Sequence, residues 1–198
     1  MPAVLPAALS RAYPSIFRAP VLTAFDPQIF ALRYFTHCMA CGFCKDQCCT
    51  YGVDIDVENM ARLKGLDGFA ARIATPPGRW FTGETMADPE FPGGRHARTA
   101  VVDGGCVFRV PGGRGCAIHA HCIDAGLDYH DYKPMVSVLF PLTFDHGVLV
   151  PSSETMDGSL ICAGDGPSLY DGVRGELAWY FGDALVAELD GIRATLSR

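Results

Sequence analysis

Five cysteines between residues 38 and 49 constrain this chain more than any other feature. The first four have the spacing C-x2-C-x2-C-x3-C, and a fifth follows directly: Cys38, Cys41, Cys44, Cys48 and Cys49. Gaps of two residues let successive Sγ atoms turn toward a common centre, where thiolates about 2.3 Å from a zinc or iron ion give up their protons. Cysteines also serve as small apolar side chains in cores, but core packing would explain only one or two of these positions. The segment therefore predicts a metal site.

Disulfide bonding explains the same cysteines less well. Adjacent residues such as Cys48 and Cys49 can bridge only with backbone strain, because a disulfide holds its Cα atoms about 4.4 to 6.8 Å apart. The total of nine cysteines is odd, and a chain of 198 residues can build a core without covalent staples. Reduced thiols indicate a reducing compartment, so we expect a cytoplasmic protein.

Composition and hydropathy indicate which kinds of partner the chain is suited to bind. The net charge is −6, and the 16 basic residues form no cluster of the kind that binds phosphates. Four prolines interrupt the first twenty residues, which therefore lack the apolar run of a signal peptide. No stretch approaches the eighteen or so apolar residues of a membrane helix. We expect a metal ion as the partner, and neither nucleic acid nor a membrane.

The pattern along the chain predicts an α+β fold. We expect a proline-punctuated arm with little regular structure at 1–25 and a single compact domain at 26–198, with short strands and hairpins around a cysteine-ligated metal site. Asp56 is a candidate N-cap for a helix that Gly65 ends. Residues 78–98 predict a long loop pinned by Trp80, and residues 99–110 a hairpin. Apolar spacing after Pro167 predicts a long C-terminal helix or two consecutive ones.

A second group of candidate ligands lies beyond the hairpin. Cys106 belongs to the hairpin, and the glycine-rich turn at 111–115 presents Cys116. Cys116 and His119 form a C-x2-H pair that could complete a tetrahedral site begun near Cys44. Alternatively, His119 and the nearby His121 are hydrogen-bonded or solvated histidines on a helix. Cys122 ranks below Cys116 as a ligand because it suits a core position.

Several of these stretches together resemble the YkgJ-type cysteine-cluster family, which is described as a zinc- or iron-chelating domain. The matching stretches span about residues 30–165: Cys38-x-x-Cys41-Gly42-x-Cys44 with Cys48-Cys49, Gly105-Cys106-Val107-Phe108, Gly115-Cys116-Ala117-Ile118-His119, and Lys133-Pro134 followed by Phe140-Pro141. The resemblance implies metal binding. It implies no particular reaction, because the family is named for its cysteines.

The chain departs from the family pattern at Ser137, where the family has a cysteine. A serine hydroxyl is a poor ligand beside thiolates, so the resemblance leaves one ligand position to be filled by Cys162, Cys122 or His119. The candidate ligands are therefore the five clustered cysteines together with Cys106, Cys116, His119 and Cys162.

The spacing leaves the metal and the activity open. Zinc would take four ligands in a closed tetrahedron, whereas the spacing also resembles that of bacterial ferredoxins that hold a 4Fe-4S cluster, although Cys49 stands where that motif has proline. A metal-binding module is the favoured function. An iron-sulfur redox enzyme is the first alternative. A metal-dependent hydrolase or transferase with His119, His121 or His130 as the acid or base is the second, but no H-E-x-x-H motif supports it.

If one metal site joins the two cysteine groups, a strong chelator should loosen residues 38–49 and 106–116 together. A structural zinc ion contributes about 10 to 16 kcal/mol of apparent binding free energy, which is comparable to a whole domain's stability of about 5 to 15 kcal/mol. Limited proteolysis with and without chelator measures the effect. Unchanged cleavage in both regions after complete metal removal would show that the shared site is wrong.

Overall fold

The computed structural model describes residues 5–35, 43–44, 46–110 and 112–196. Its contacts group the chain into two compact units, which we call the first unit (1–36 with 139–198) and the second unit (37–138). The chain is mixed α/β with several small sheets, which confirms the predicted combination of helices and short strands. The prediction of one domain at 26–198 stands untested, since units defined by contacts need not be separate domains.

The strands and helices alternate irregularly along the chain. The strands are β1 (Ala7–Pro14), β2 (Val21–Phe25), β3 (Arg33–Tyr34), β4 (Asp54–Asp56), β5 (Phe81–Ala87), β6 (Arg95–Thr99), β7 (Val101–Val102), β8 (Gly105–Cys106), β9 (Leu142–Asp145), β10 (Val148–Pro151) and β11 (Ala163–Ser168). The helices are α1 (Val57–Lys64), α2 (Ala117–Ala125), α3 (Met135–Leu139), α4 (Ser153–Met156), α5 (Leu169–Phe181) and α6 (Asp183–Leu196).

The first unit contains a four-stranded sheet with the order β1-β2-β10-β9. Strand β2 pairs antiparallel with β1 and parallel with β10, and β10 pairs antiparallel with β9. The expectation that residues 1–25 form an arm with little regular structure is therefore wrong. Pro14 ends β1 and Pro20 directly precedes β2, so these prolines bound the strands rather than break them. Leu22 and Phe25 are fully buried.

Two helices end the described chain in place of one long helix. Gly182 separates α5 from α6 and has a positive φ of 85°, a backbone conformation that residues other than glycine rarely adopt. The Tyr170 hydroxyl donates to Asp190 Oδ1 at 2.7 Å and to the Val186 carbonyl at 3.2 Å, which joins the two helices. Of the two forms predicted for this segment, the consecutive pair is the correct one.

Helix α1 of the second unit begins and ends where the sequence predicts. The side chain of Asp56 accepts a hydrogen bond from the Asn59 amide at 2.6 Å and caps α1, and Gly65 ends that helix. Strand β4 pairs with β6, and β6 pairs with β5, in the order β4-β6-β5. The prediction of a long loop at 78–98 is wrong, because most of it forms the antiparallel pair of β5 and β6.

An aromatic cluster forms the core of the second unit. Trp80 is fully buried and lies in edge-to-face contact with Phe69 and Phe108, with ring centroids 5.4 Å apart in each case. This confirms Trp80 as the residue that holds its segment to the core. Strands β7 and β8 form a hairpin whose two turn residues, Asp103 and Gly104, both have positive φ, as the turn favoured in tight hairpins requires.

Among the described residues, no helix has the length and apolar character needed to cross a bilayer.

Replacing Asp56 with alanine should lower the free energy of unfolding by about 1 kcal/mol, because the first turn of α1 loses its cap. Asp56→Asn is the matched control, since asparagine caps equally well and burial already raises the pKa of the Asp56 carboxyl. Urea unfolding measures both variants. Equal destabilisation by alanine and asparagine would mean that the cap is not the stabilising contact.

Candidate metal centre

The described part of the cysteine segment folds as a pair of tight turns. The Gln47 amide donates to the Cys44 carbonyl at 3.0 Å, and the Cys49 amide donates to the Asp46 carbonyl at 2.8 Å. These bonds bring Cys44 and Cys49 onto successive turns, with Cys44 and Cys49 half-buried and Cys48 exposed. Cys38 and Cys41, the other two predicted ligands of the segment, lie outside the described residues.

Cys106 and Cys116 are held by neighbouring backbone segments. Cys106 lies in β8, opposite Val101 of β7. Cys116 pairs with Arg109 in an isolated bridge and occupies the N-cap position of α2, and the Ala117 amide donates to the Phe108 carbonyl at 2.7 Å. Both cysteines are half-buried and pack against the aromatic core. The hairpin and the glycine-rich turn thus present their thiols at the edge of one core.

The buried carboxylate of Asp46 connects these two parts of the unit. Arg114 Nε lies 3.0 Å from both carboxylate oxygens, and the Gly115 amide donates to Oδ2 at 3.2 Å. Arg114 Nη2 also lies 3.4 Å from Cys44 Sγ. The segment that carries Cys44 is therefore fastened to the turn that precedes Cys116.

Neighbouring groups shift the pKa values of Cys48 and Cys49 in opposite directions. A hydrogen bond from the Cys49 thiol lowers the pKa of Cys48 to about 7, against the opposing effects of partial desolvation of its sulfur and of the Asp46 carboxylate, with help from Lys133. The pKa of Cys49 rises because its thiol is the donor, is half-buried, and faces the charges of Cys48, Cys106 and Cys116. Of the four, Cys49 is the thiol that the charges of all the others influence.

The described thiols do not by themselves form a closed metal site. In a tetrahedral site with bonds of about 2.3 Å, sulfur atoms lie about 3.8 Å apart. Among the described residues, no three cysteine sulfurs lie within 4.8 Å of one another. The contribution of Cys38 and Cys41 stays a prediction.

The remaining candidates separate into different environments. His119 is half-buried on α2, and its ring packs against Tyr129 with centroids 4.3 Å apart. Cys122 is fully buried in the aromatic core, and burial raises its pKa to about 11. It therefore occupies a core position, which is the reason why the sequence ranks it below Cys116 as a ligand. Cys162 belongs to the first unit, where its carbonyl accepts from the Phe35 amide at 2.8 Å. Its place in the ligand set stays a prediction.

Two other positions from the sequence analysis have defined surroundings. His121 is buried, and its ring lies 5.4 Å from that of Phe69, which is a core environment rather than that of a solvated histidine. Ser137, which stands where the resemblance expects a cysteine, lies half-buried in α3.

Sequence reasoning missed Asp46, Arg114 and Thr99 as parts of the site. Thr99 is fully buried, its Oγ1 accepts from the Val53 amide at 2.8 Å and lies 3.3 Å from Cys106 Sγ. When Cys106 is a thiolate, the hydroxyl must be the donor, and this bond lowers the pKa of Cys106 although burial raises it overall. No signal in the sequence pairs Arg114 with a cysteine 70 residues away, and none distinguishes Thr99 from the other polar residues near Cys106.

Comparison with known proteins finds no matching family model, no curated relative and no solved structure of similar fold.

Replacing Thr99 with valine should raise the pKa of Cys106 further in the metal-free protein, because the thiolate loses a hydrogen-bond donor. Alkylation of Cys106 as a function of pH, followed by peptide mass spectrometry, should shift to higher pH. Thr99→Ser keeps the hydroxyl and should keep the wild-type profile. Identical profiles for valine and wild type would rule out the hydroxyl as a donor to Cys106.

Proposed function

We propose that this chain is a metal-binding protein whose clustered cysteines ligate zinc or iron, the iron either as single ions or in an iron-sulfur cluster. The observation that carries the proposal is the contact between the cysteine segment and the turn before Cys116: the Asp46 carboxylate accepts from Arg114 and from the Gly115 amide, and Arg114 Nη2 lies 3.4 Å from Cys44 Sγ. Core packing of separate cysteines gives no reason for such polar contacts between thiol-bearing segments, whereas shared ligation of a cation does.

The surroundings of these thiols support the proposal. Arg114 and Thr99 place hydrogen-bond donors against Cys44 and Cys106, and the charge of Lys133 favours the thiolate of Cys48. A site that holds metal needs thiolates, and outer donors of this kind stabilise them and orient the sulfur atoms. Cys122, in contrast, is fully buried within the apolar core.

The motif resemblance agrees with the same function. We propose that the chain is related to the YkgJ-type cysteine-cluster family through the stretches around Cys38, Cys106, Cys116 and Lys133. Cys48, Cys49, Cys106, Cys116 and Cys122 are free thiols in the structure, which supports the proposed location in a reducing cytoplasm.

Metal analysis of protein purified without oxygen tests the proposal directly. We expect at least one equivalent of zinc or iron per chain. The absorption spectrum then separates the metals, because thiolate-bound iron and iron-sulfur clusters are coloured and zinc is not. A folded protein with no stoichiometric zinc or iron would overturn the proposal.

A matched pair of substitutions tests the assignment of ligands. Cys116→Ala should lower metal affinity by more than about tenfold, since even partners outside the ligand shell cost 10- to 100-fold. Cys122→Ala removes the same atoms from a fully buried core position and should lower stability while the metal content stays at the wild-type value. Equal loss of metal from both variants would mean that folding, and not ligation by Cys116, governs metal content.

A further inference from the structure

The ion pair of Asp46 and Arg114 is largely buried and supported by further hydrogen bonds, unlike an ordinary ion pair on the surface. Asp46 is only 7% exposed, and both of its carboxylate oxygens lie 3.0 Å from Arg114 Nε. The Gly115 amide adds a third contact, to Oδ2 at 3.2 Å. A buried carboxylate is costly unless it is paired and hydrogen-bonded, and here both conditions are met.

The pair lies between the candidate ligands. Asp46 is two residues from Cys44 and two from Cys48, and Gly115 directly precedes Cys116. Arg114 reaches past the carboxylate, so that its Nη2 donates to Cys44 Sγ at 3.4 Å. One carboxylate therefore fixes the position of the cysteine segment relative to the turn that presents Cys116.

The backbone of Asp46 fits the same role. Its φ of 58° and ψ of 35° lie in the left-handed region, which aspartate and asparagine tolerate better than most residues. The Asp46 carbonyl accepts from the Cys49 amide, which sets the turn that carries Cys48 and Cys49. Because both carboxylate oxygens contact Arg114 or Gly115, the side chain serves to position the turn.

We propose that Asp46 and Arg114 are positioning residues that hold the cysteine segment and the turn before Cys116 together in the metal-free protein, so that less of the chain has to be ordered when the cation binds. The proposal rests on the proposed metal-binding function and deepens it. Preassembly lowers the ordering cost of binding, so the ion pair should appear in metal affinity without supplying a ligand itself.

Asp46→Asn is the sharpest test, because asparagine keeps the shape and tolerates the left-handed backbone while it removes the charge. Zinc affinity, measured by competition with a chromophoric chelator, should fall about 10- to 100-fold, as for other outer partners of metal ligands. The sulfur-to-metal charge-transfer band of the Co²⁺-loaded protein should weaken. Amide hydrogen exchange in the metal-free protein should become faster at residues 43–49 and 112–116.

Asp124→Asn provides the matched control. Asp124 pairs with Arg72 at 2.7 Å in the same unit, but both side chains are exposed, so the loss should be small. Zinc affinity, the Co²⁺ spectrum and exchange at the two segments should stay at wild-type values. Arg114→Lys is a second, milder variant that keeps the charge but loses the planar fork, and its zinc affinity should lie between those of wild type and Asp46→Asn.

The possible outcomes separate the two proposals. Wild-type zinc affinity and a wild-type Co²⁺ spectrum in both Asp46→Asn and Arg114→Lys would overturn the positioning role. If the wild-type protein binds no zinc, Co²⁺ or iron, the proposed function itself fails. In that case, hydrogen exchange alone tests whether the ion pair holds the two segments together. Faster exchange in Asp46→Asn supports this role, and unchanged exchange overturns it.

Discussion

The aromatic core of the second unit determines where the thiols of Cys106 and Cys116 lie. Each of these cysteines directly precedes two buried apolar residues, Val107-Phe108 in one case and Ala117-Ile118 in the other. Since those pairs are inserted in the core around Trp80, the preceding cysteines must emerge at its edge. The hydrogen bond from the Ala117 amide to the Phe108 carbonyl then sets the two strands of chain side by side. The candidate centre therefore depends on hydrophobic packing before any metal is considered.

The partly buried thiols have polar neighbours that a fully buried thiol in the apolar core lacks. Cys122, inside the core, has a pKa raised by desolvation and no described donor, so it stays a neutral apolar group. At the core edge, Cys106 suffers the same desolvation but also contacts the Thr99 hydroxyl, and Cys48 receives a hydrogen bond from Cys49. The fold thus separates Cys122, which only packs, from Cys48 and Cys106, which have polar partners; of these two, only Cys48 has a lowered pKa.

Local signals in the sequence predicted local structure well and long-range pairing poorly. The cap at Asp56, the end of α1 at Gly65 and the turn at Asp103 each depend on a few adjacent residues, and all were correct. The strands at 7–25 and 81–99 were missed because prolines and glycines there indicate turns, while the partners that stabilise the strands lie elsewhere in the chain. The pair of Asp46 and Arg114 joins positions 68 residues apart. A single sequence carries no signal for such a pair, so the cysteine spacing predicted a site but not what holds its two parts together.

The division of the chain into two units bears on the number of metal ions. Residues 37–138 form one continuous segment that interrupts the first unit, and this segment contains seven of the predicted cysteine ligands: Cys38, Cys41, Cys44, Cys48, Cys49, Cys106 and Cys116. A single zinc or iron ion in a tetrahedral thiolate site takes four. The second unit alone therefore contains more cysteines than one mononuclear site can use. If these cysteines bind metal as we propose, two ions or a cluster would use more of them than one ion would, and Arg114 and Lys133 would offset part of the thiolate charge of Cys44 and Cys48.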